Sequence, residues 1–193
     1  MLSRFPSLFK VCGLLELNGL QAWGPSRVLS IIDPELAWPD DLAFPPPCQH
    51  VTMRFHDEIE PIDGKRLPER ADVEQIVAIG RQMAASGPQD RLLVHCHAGI
   101  SRSTAALAIV CVSMSPDAED PDVLDAILAM RPQAWPNSTM IRLADDILGR
   151  RGRLVSATIG LFGKRLRADP ALADLMHRVR RSRDVADATA SGA

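Results

Sequence analysis

The feature of the sequence with the clearest chemical meaning is a thiol and a guanidinium six positions apart, Cys96 and Arg102, in the segment HCHAGISRST of residues 95–104. A short apolar run at residues 92–94 precedes this segment, and the apolar run of residues 103–114 follows it. This order predicts a strand, a tight loop and the start of a buried helix. The backbone N–H groups of such a loop converge above the helix N-terminus, where the helix dipole also attracts an anion. We therefore expect a phosphate group to bind here, and the loop is called the phosphate loop.

The residue types in the phosphate loop suggest a chemical role for several side chains. A positive field favours the thiolate form of Cys96, which is the nucleophilic form of cysteine. The planar fork of Arg102 can bind two phosphate oxygens at once. The hydroxyl group of Ser103 can donate a hydrogen bond to the sulfur and ease its later departure, and His95 is expected to order the loop without touching substrate. The residues expected to surround the phosphate are His97, Ala98, Gly99, Ile100, Ser101 and Arg102.

A cysteine and an arginine at this spacing also occur by chance, as a core cysteine next to a surface arginine. Several accompanying features argue against that interpretation. A histidine precedes Cys96, Gly99 supplies the backbone freedom that a tight turn requires, and a Ser-Thr pair follows Arg102. Apolar runs on both sides complete the pattern, so we interpret the segment as a functional loop.

With these residues the sequence resembles the protein tyrosine phosphatase superfamily, whose signature is His-Cys, five further residues, Arg, and then Ser or Thr. The form HCHAGISRST is most similar to the dual-specificity branch. The resemblance is strong over residues 92–112 and weaker over residues 27–148. It implies a phosphocysteine intermediate and no metal or other cofactor. It also implies that Asn137, which follows a proline, braces the phosphate loop; a plain helix cap is an alternative role compatible with this one.

Loss of a phosphorylated alcohol or phenol needs a proton donor and hydrolysis of phosphocysteine needs a base, and one carboxyl group can serve as both. The resemblance implies an aspartate on a loop after the strand that precedes the long helix. Asp57 follows the strand predicted at residues 51–55 and is preferred, whereas Asp63 has a spacing closer to that of short family members but lies deeper in the loop. Asp40 ends a Trp-Pro-Asp sequence typical of larger tyrosine-specific phosphatases, but it follows an earlier strand and is rejected. The remaining alternatives are Glu58, Glu60 or no carboxyl group.

The favoured function is hydrolysis of phosphotyrosine, with or without phosphoserine and phosphothreonine, so the expected partner is a phosphorylated protein. A phosphoinositide or inositol phosphate is an alternative substrate. Relatives of that type tend to have lysines in the phosphate loop, and none lies between Cys96 and Arg102. A second alternative is a phosphopeptide-binding pseudophosphatase, against which the presence of all residues needed for turnover argues.

The composition is that of an ordinary globular chain. Of 193 residues, 46% are apolar and 24% are charged. The formal net charge of −2 gives no overall field that favours nucleic acid, and no stretch reaches the roughly 18 apolar residues of a membrane span. The four cysteines lack metal-type spacing, which indicates reduced thiols, and the N-terminus makes a poor signal peptide. We therefore expect a cytoplasmic protein.

Apolar runs that alternate with helical patterns predict an α/β fold, with a small, mainly parallel central sheet flanked by helices. The predicted strands are residues 27–32, 51–55 and 92–94. The predicted helices are residues 69–84 and 103–114, a third from Asp120 as N-cap to Met130, and a fourth from Asn137 to Gly149.

The charge pattern changes near residue 150, so we assign residues 1–150 to a phosphatase domain and residues 151–193 to a basic helical C-terminal extension. The end of this extension, residues 186–193, is predicted to be disordered. The extension contains an amphipathic pattern whose polar face carries Arg178, Arg180, Arg181 and Arg183. A solvated helix that packs on the domain is the favoured interpretation, and weak contact with a partner or an anionic lipid surface is the alternative.

Overall fold

The computed structural model describes residues 5–37, 44, 46–86 and 90–191. The strands in these ranges are β1 (Phe9–Gly13), β2 (Arg27–Ile32), β3 (Gln49–Arg54) and β4 (Leu92–Cys96). The helices are α1 (Phe5–Leu8), α2 (Arg70–Ala85), α3 (Arg102–Met114), α4 (Asp120–Met130), α5 (Ser138–Ile147), α6 (Arg153–Ala168), α7 (Leu172–Arg178) and α8 (Ser182–Ala190). Two short 3₁₀ segments, Leu14–Gly19 and Gln21–Trp23, follow β1.

The four strands form one parallel sheet in the order β1-β4-β2-β3. The predicted α/β fold with a mainly parallel sheet is therefore confirmed. Strand β1 was not predicted, because its five residues, FKVCG, include a lysine and end in a glycine, so their apolar pattern is too short to stand out. Strand β4 lies between β1 and β2 and is buried along its whole length, which explains its uninterrupted apolar start.

Helix α3 is the centre of the core. All of its residues except the last, Met114, are buried. It packs against the sheet and against α2, α4 and α5. This arrangement confirms the buried helix predicted from an apolar run that has no polar face.

The opposite face of the sheet is covered by the 3₁₀ segments that follow β1. Cys12, Val28 and Leu93 form a second apolar cluster there with Leu17, which lies in the first 3₁₀ segment. Alternate residues of each strand face this cluster and the main core, as the pleat of a strand requires. Helix α3 and the helices packed on it therefore lie on one face of the sheet, and the 3₁₀ segments that follow β1 cover the other.

Helix α4 begins one residue earlier than predicted. Its N-cap position is Glu119, not Asp120, and no side chain caps the helix. The carboxyl group of Asp120 is buried and lies 3.0 Å from Nη1 of Arg150, which directly precedes the C-terminal extension. Asp120 therefore pairs with a cation instead of with the free N–H groups of the helix.

The C-terminal extension packs onto the rest of the chain. Helix α6 lies against α4 and α5, and α8 lies against α6. The helix at Ser182–Ala190 shows that the predicted disorder is wrong for residues 186–190. Val185 and Ala188 of α8 are buried in the main core, and this burial supplies the order that a composition of small residues does not indicate. None of the helices in the described ranges is long and apolar enough to cross a membrane.

Gly80 in α2 marks a close approach of α2 to α3. A Cβ atom at Gly80 would lie 2.6 Å from Cβ of Ser113 and 2.7 Å from the carbonyl oxygen of Val110. We expect Gly80→Ala to lower the free energy of unfolding by about 1–3 kcal/mol, because α2 and α3 must move apart at a buried contact.

The matched control for Gly80→Ala is Gly160→Ala in α6. No heavy atom lies within 4 Å of the Cβ added at Gly160, so this variant should gain about 0.5–1 kcal/mol from the helix propensity of alanine. Urea denaturation measures both changes. Equal stabilities for the two variants would contradict the packing argument.

Candidate active site

The carboxyl ends of the four strands meet at one edge of the sheet, because all the strands are parallel. Strand β4 ends at Cys96, and the phosphate loop leads from it to α3, which begins at Arg102. Asp33 directly follows β2, and Asp57 lies shortly after β3. This edge therefore collects a thiol, a guanidinium and two carboxyl groups.

The thiol of Cys96 has polar partners, although only 2% of the residue is exposed. Its Sγ atom lies 3.2 Å from Oγ of Ser103. Sγ also accepts a hydrogen bond from the N–H group of Gly99 at 3.3 Å. Hydrogen bonds donated to a sulfur stabilise its charged form more than its neutral form. The structure thus brings Cys96, Gly99 and Ser103 together at the sulfur.

The phosphate loop is held from outside through its carbonyl groups. The oxygen of His97 accepts a hydrogen bond from the N–H group of Leu14 at 2.9 Å. The oxygens of Ala98 and Gly99 accept from Nη2 and Nε of Arg131, both at 3.0 Å. Because the C=O and N–H of one trans peptide point in opposite directions, the N–H groups of these peptides turn to the other side of the loop. That side holds the sulfur, to which Gly99 donates.

Two glycines allow β1 to lie directly against the phosphate loop. Gly99 has a φ of +70°, in the left-handed region that favours glycine. A Cβ atom there would collide with the backbone of Cys12 and Gly13 and would lie 2.7 Å from Nη2 of Arg131. A Cβ atom at Gly13 would lie 3.0 Å from a loop carbonyl oxygen. Glu16 pairs with Arg131 at 2.8 Å and completes this contact.

The segment between α4 and α5 holds the other end of the loop. The N–H groups of Trp135 and Asn137 donate to the carbonyl oxygens of Ile100 at 2.9 Å and Ser101 at 3.3 Å. The side-chain oxygen of Asn137 accepts from two N–H groups of the first turn of α5, both at 3.1 Å. Asn137 therefore makes both the contact with the loop and the helix cap that the sequence suggested.

The guanidinium group of Arg102 is held through one nitrogen. The residue is 2% exposed, and its Nη1 donates to Oδ1 of Asp33 at 2.6 Å and to the carbonyl oxygen of Phe55 at 2.5 Å. No acceptor among the described residues contacts Nε or Nη2. These two nitrogens form one edge of the planar fork, the edge that bidentate binding of an anion would use. Asp33 was not predicted as a site residue, because its sequence context indicated only the end of a strand.

The carboxyl group of Asp57 lies beside the phosphate loop. Its Oδ1 accepts hydrogen bonds from Oγ of Ser101 at 2.7 Å, Nδ2 of Asn137 at 2.9 Å and Nη2 of Arg181 at 2.7 Å. Asp63 is exposed and has no hydrogen bond or ion pair with the part of the chain that the structure describes. The structure therefore brings Asp57, but not Asp63, to the loop.

The other carboxyl groups considered from the sequence do not approach the loop in the described ranges. Asp40 lies outside these ranges, and Glu60 is exposed. Glu58 contacts Asn137 through its backbone: its carbonyl oxygen accepts a hydrogen bond from Nδ2 of Asn137 at 3.2 Å.

Arg181 was predicted to lie on a solvated polar face, and that prediction is wrong. The residue is buried, and its side chain points to Asp57. Helix α7 ends at Arg178, so Arg181 does not continue the periodicity from which its exposure was inferred. A change of chain direction at the end of a helix is not visible in a pattern of apolar spacing.

His95 links three strands beneath the loop. Its Nε2 lies 2.6 Å from Oγ of Ser30 in β2. The same hydroxyl group lies 2.7 Å from Nε2 of His50 in β3. Burial lowers the pKa of His95 to about 4. The ring is therefore neutral at neutral pH, and it ties β4 to β2 without adding a charge below the sulfur.

Comparisons with known proteins agree with this fold. The family model described as protein-tyrosine phosphatase matches residues 64–139, a range that includes the whole phosphate loop. The structure of DUSP15 is similar at 19% identity, with 79% of this chain and 89% of that chain covered and a TM-score of 0.53. For human DUSP28 the identity is 17%, 76% of this chain and 91% of that chain are covered, and the TM-score is 0.55. For the human tyrosine phosphatase-like serine/threonine/tyrosine-interacting protein the identity is 15%, 76% of this chain and 94% of that chain are covered, and the TM-score is 0.53. A comparison with curated protein sequences finds no match.

The buried ring of His95 makes stability depend on pH. Folding lowers the pKa of His95 from 6.5 to about 4, so between these values the unfolded chain binds more protons than the folded one. The contribution of the neutral His95 ring to the free energy of unfolding is therefore complete above pH 6.5 and is lost as the pH falls towards 4. In the wild type, the free energy of unfolding should therefore decrease as the pH falls through this window. We expect this decrease to be smaller in His95→Gln, by about 1 kcal/mol per pH unit.

Urea denaturation at several pH values in this window measures the effect of His95→Gln. The control is His177→Gln, at an exposed histidine of α7, which should keep the wild-type pH dependence. The same pH dependence in His95→Gln and wild type would show that the buried ring does not contribute.

Proposed function

Since this chain has the fold and the signature loop of the cysteine-dependent protein tyrosine phosphatase superfamily, in its dual-specificity-like form, we propose that it hydrolyses phosphotyrosine in proteins, with or without phosphoserine and phosphothreonine. The observation that supports the proposal is that a thiol and a guanidinium group lie at the same edge of the sheet. The sulfur of Cys96 has hydrogen-bonding partners, and Arg102 is tethered through Nη1 while Nε and Nη2 are unpaired among the described residues. A nucleophile beside a bidentate anion receptor supports phosphoryl transfer.

In the first step, the thiolate of Cys96 attacks phosphorus in line with the leaving oxygen. A P–S bond forms and the P–O bond to that oxygen breaks, and Asp57 supplies the proton that the oxygen takes up. The loop N–H groups and the fork of Arg102 bind the equatorial oxygens throughout. The products of this step are phosphocysteine and the free alcohol or phenol.

In the second step, water attacks the phosphocysteine. Asp57, now a carboxylate, takes a proton from the water as the P–S bond breaks. The hydroxyl group of Ser103, 3.2 Å from the sulfur, donates a hydrogen bond that stabilises the departing thiolate. Inorganic phosphate is released, and both Cys96 and Asp57 return to their starting forms.

The contacts of Asp57 support its role as acid and base. Its Oδ1 is 2.7 Å from the hydroxyl group of Ser101, a residue of the phosphate loop. A carboxyl group in this position lies beside the loop that would bind phosphate, where a general acid and base for the reaction is needed. Asp63 makes no contact of this kind within the described ranges.

The charges of the loop support a protein substrate. Between Cys96 and Arg102 the sequence has no lysine or arginine, so the loop offers the cation of Arg102 alone. A phosphotyrosine side chain carries one phosphate and needs no further cation. A phosphoinositide carries several phosphates and gains little from a loop of this composition.

The catalytic thiol also constrains the compartment. A cysteine nucleophile must remain reduced, and thiols persist in reducing compartments such as the cytosol. All four cysteines of the chain are free in the structure. We therefore propose a cytoplasmic location.

Hydrolysis of p-nitrophenyl phosphate tests the proposed function. The wild type should turn over this ester, and Cys96→Ser should not, because serine is not ionised at neutral pH. Arg102→Lys should lower kcat/KM by about 10²-fold or more, because an ammonium cannot hold Asp33 and two phosphate oxygens together. Arg142→Lys, in an exposed ion pair with Asp187, is the matched control and should keep wild-type activity.

Two outcomes would contradict this proposal. Equal activity of Cys96→Ser and wild type would exclude the cysteine mechanism. Faster Cys96-dependent release of phosphate from soluble phosphoinositides than from phosphotyrosine peptides would overturn the substrate class.

A second experiment identifies the acid. With phenyl phosphate, whose leaving group needs a proton, Asp57→Ala should lower kcat by about 10²- to 10⁴-fold. Asp63→Ala is the matched control at an exposed aspartate of the same connection, and it should leave kcat unchanged. The opposite pair of results would transfer the role of the acid to Asp63.

A further inference from the structure

Arg181 is an arginine in an unusual environment. Arginine side chains are almost never fully buried unless they are paired, and Arg181 is only 5% exposed. Its Nη2 donates to the carbonyl oxygen of Asp57 at 2.7 Å and to Oδ1 of the same residue at 2.7 Å, and it lies 3.3 Å from Oγ of Ser101. One nitrogen of the C-terminal extension therefore contacts both the backbone and the carboxyl group of Asp57.

The end of α7 directs Arg181 to this position. The N–H of Arg181 donates to the carbonyl oxygen of Met176 at 2.8 Å, and the N–H of Arg180 donates to that of His177 at 3.1 Å. These two bonds, with a φ of +63° at Arg180, form the Schellman motif that ends many helices. The residue in the left-handed conformation is an arginine here, although glycine is usual at such a position. The turn accepts this backbone strain and brings the next residue, Arg181, to the site.

The donors around Asp57 make its two carboxyl oxygens different. Oδ1 accepts hydrogen bonds from Ser101, Asn137 and Arg181. No donor among the described residues contacts Oδ2. An oxygen that accepts from a guanidinium and two further donors has no room for a proton of its own. A proton carried by Asp57 therefore resides on Oδ2.

We infer that Arg181 is a positioning residue for Asp57, so that the C-terminal extension supplies a functional part of the active site. This inference rests on the proposed function, in which Asp57 donates the proton to the leaving oxygen. Arg181 fixes Oδ1 and thereby turns Oδ2, with its proton, towards the position where that oxygen departs. Holding a reacting group in its productive orientation is a large part of what an active site contributes to rate.

The ion pair also acts during the proton transfer. When the Oδ2–H bond breaks and the proton moves to the leaving oxygen, negative charge develops on the carboxyl group. The guanidinium of Arg181 is already 2.7 Å from Oδ1, so this charge is stabilised without rearrangement. In the second step the same contact keeps Oδ2 available to accept a proton from water.

The dependence of rate on the leaving group tests the inference, because a positioned acid matters most when the leaving oxygen is basic. Phenolate is a much stronger base than p-nitrophenolate and needs the proton more. We expect Arg181→Met to lower kcat for phenyl phosphate by about 10- to 100-fold, and kcat for p-nitrophenyl phosphate by less than about threefold. KM should change little for either ester, and Arg181→Lys should recover part of the loss.

The matched control is Arg142→Met. Arg142 pairs with Asp187 at 2.6 Å and so holds α8, the helix that begins directly after Arg181, without a hydrogen bond to Asp57. This variant should keep the wild-type ratio of the two rates. Arg181→Gln, which keeps a hydrogen-bond donor without the charge, is measured beside Arg181→Met. If the methionine variant does not fold, the glutamine variant still allows the two esters to be compared.

A double-mutant cycle separates positioning from a merely structural role. If Arg181 acts through Asp57, then Arg181→Met should have no further effect on either ester in an Asp57→Ala background. An equal loss on both esters, or a further loss of about tenfold in the Asp57→Ala background, would overturn the inference.

Failure of the proposed function gives a different result. A wild type without Cys96-dependent hydrolysis of either ester would overturn the proposed function and this inference together. A wild type and an Asp57→Ala variant that behave as expected, with wild-type rates in both Arg181→Met and Arg181→Gln, would overturn the inference alone.

Discussion

The orientation of the phosphate loop is the constraint on which the rest of the structure depends. If its N–H groups are to face an anion, its carbonyl groups must face away and find donors elsewhere, because a buried carbonyl group without a donor costs free energy. The backbone at Leu14, the side chain of Arg131 and the N–H groups of Trp135 and Asn137 supply these donors. A short loop therefore requires contacts from two distant parts of the chain, Leu14 and residues 131–137, and the buried helix α3 is the platform that carries it.

The parts of the site that residue types and apolar runs predict on their own lie within a single segment, whereas the roles of Asp57 and Asn137 came from the family resemblance. Strand, loop and helix follow one another around Cys96, so apolar runs and residue types suffice to predict them. The contacts that could not be predicted join distant positions. Asp33 lies 69 positions from Arg102, and Arg181 lies 124 positions from Asp57. Opposite charges are common along any chain, and only the path of the backbone decides which of them meet.

The same reasoning explains the elements of the fold that were missed. Strand β1 has a weak apolar pattern, and its importance comes from Gly13, which lets the strand approach the phosphate loop. The end of α8 consists of small residues, and it is ordered because Val185 and Ala188 reach the core. Composition records how readily a segment folds alone, whereas both segments are ordered by partners elsewhere in the chain.

Three buried arginines form ion pairs of two kinds, which differ in the exposure of the carboxyl group. Removing a guanidinium from water costs several kcal/mol unless partners offset the cost. Arg150 pairs with Asp120 away from the edge where the strands end, and both side chains are almost fully buried, at 4% and 2% exposure. Arg102 and Arg181 instead pair with carboxyl groups that are 40% and 31% exposed, those of Asp33 and Asp57. A carboxyl group that water can reach tolerates a change of charge or partner at smaller cost than the enclosed pair of Arg150 and Asp120. The proposed entry of a phosphate beside Arg102 and the proposed loss of a proton from Asp57 both need this freedom, whereas the enclosed pair can only hold its two elements together.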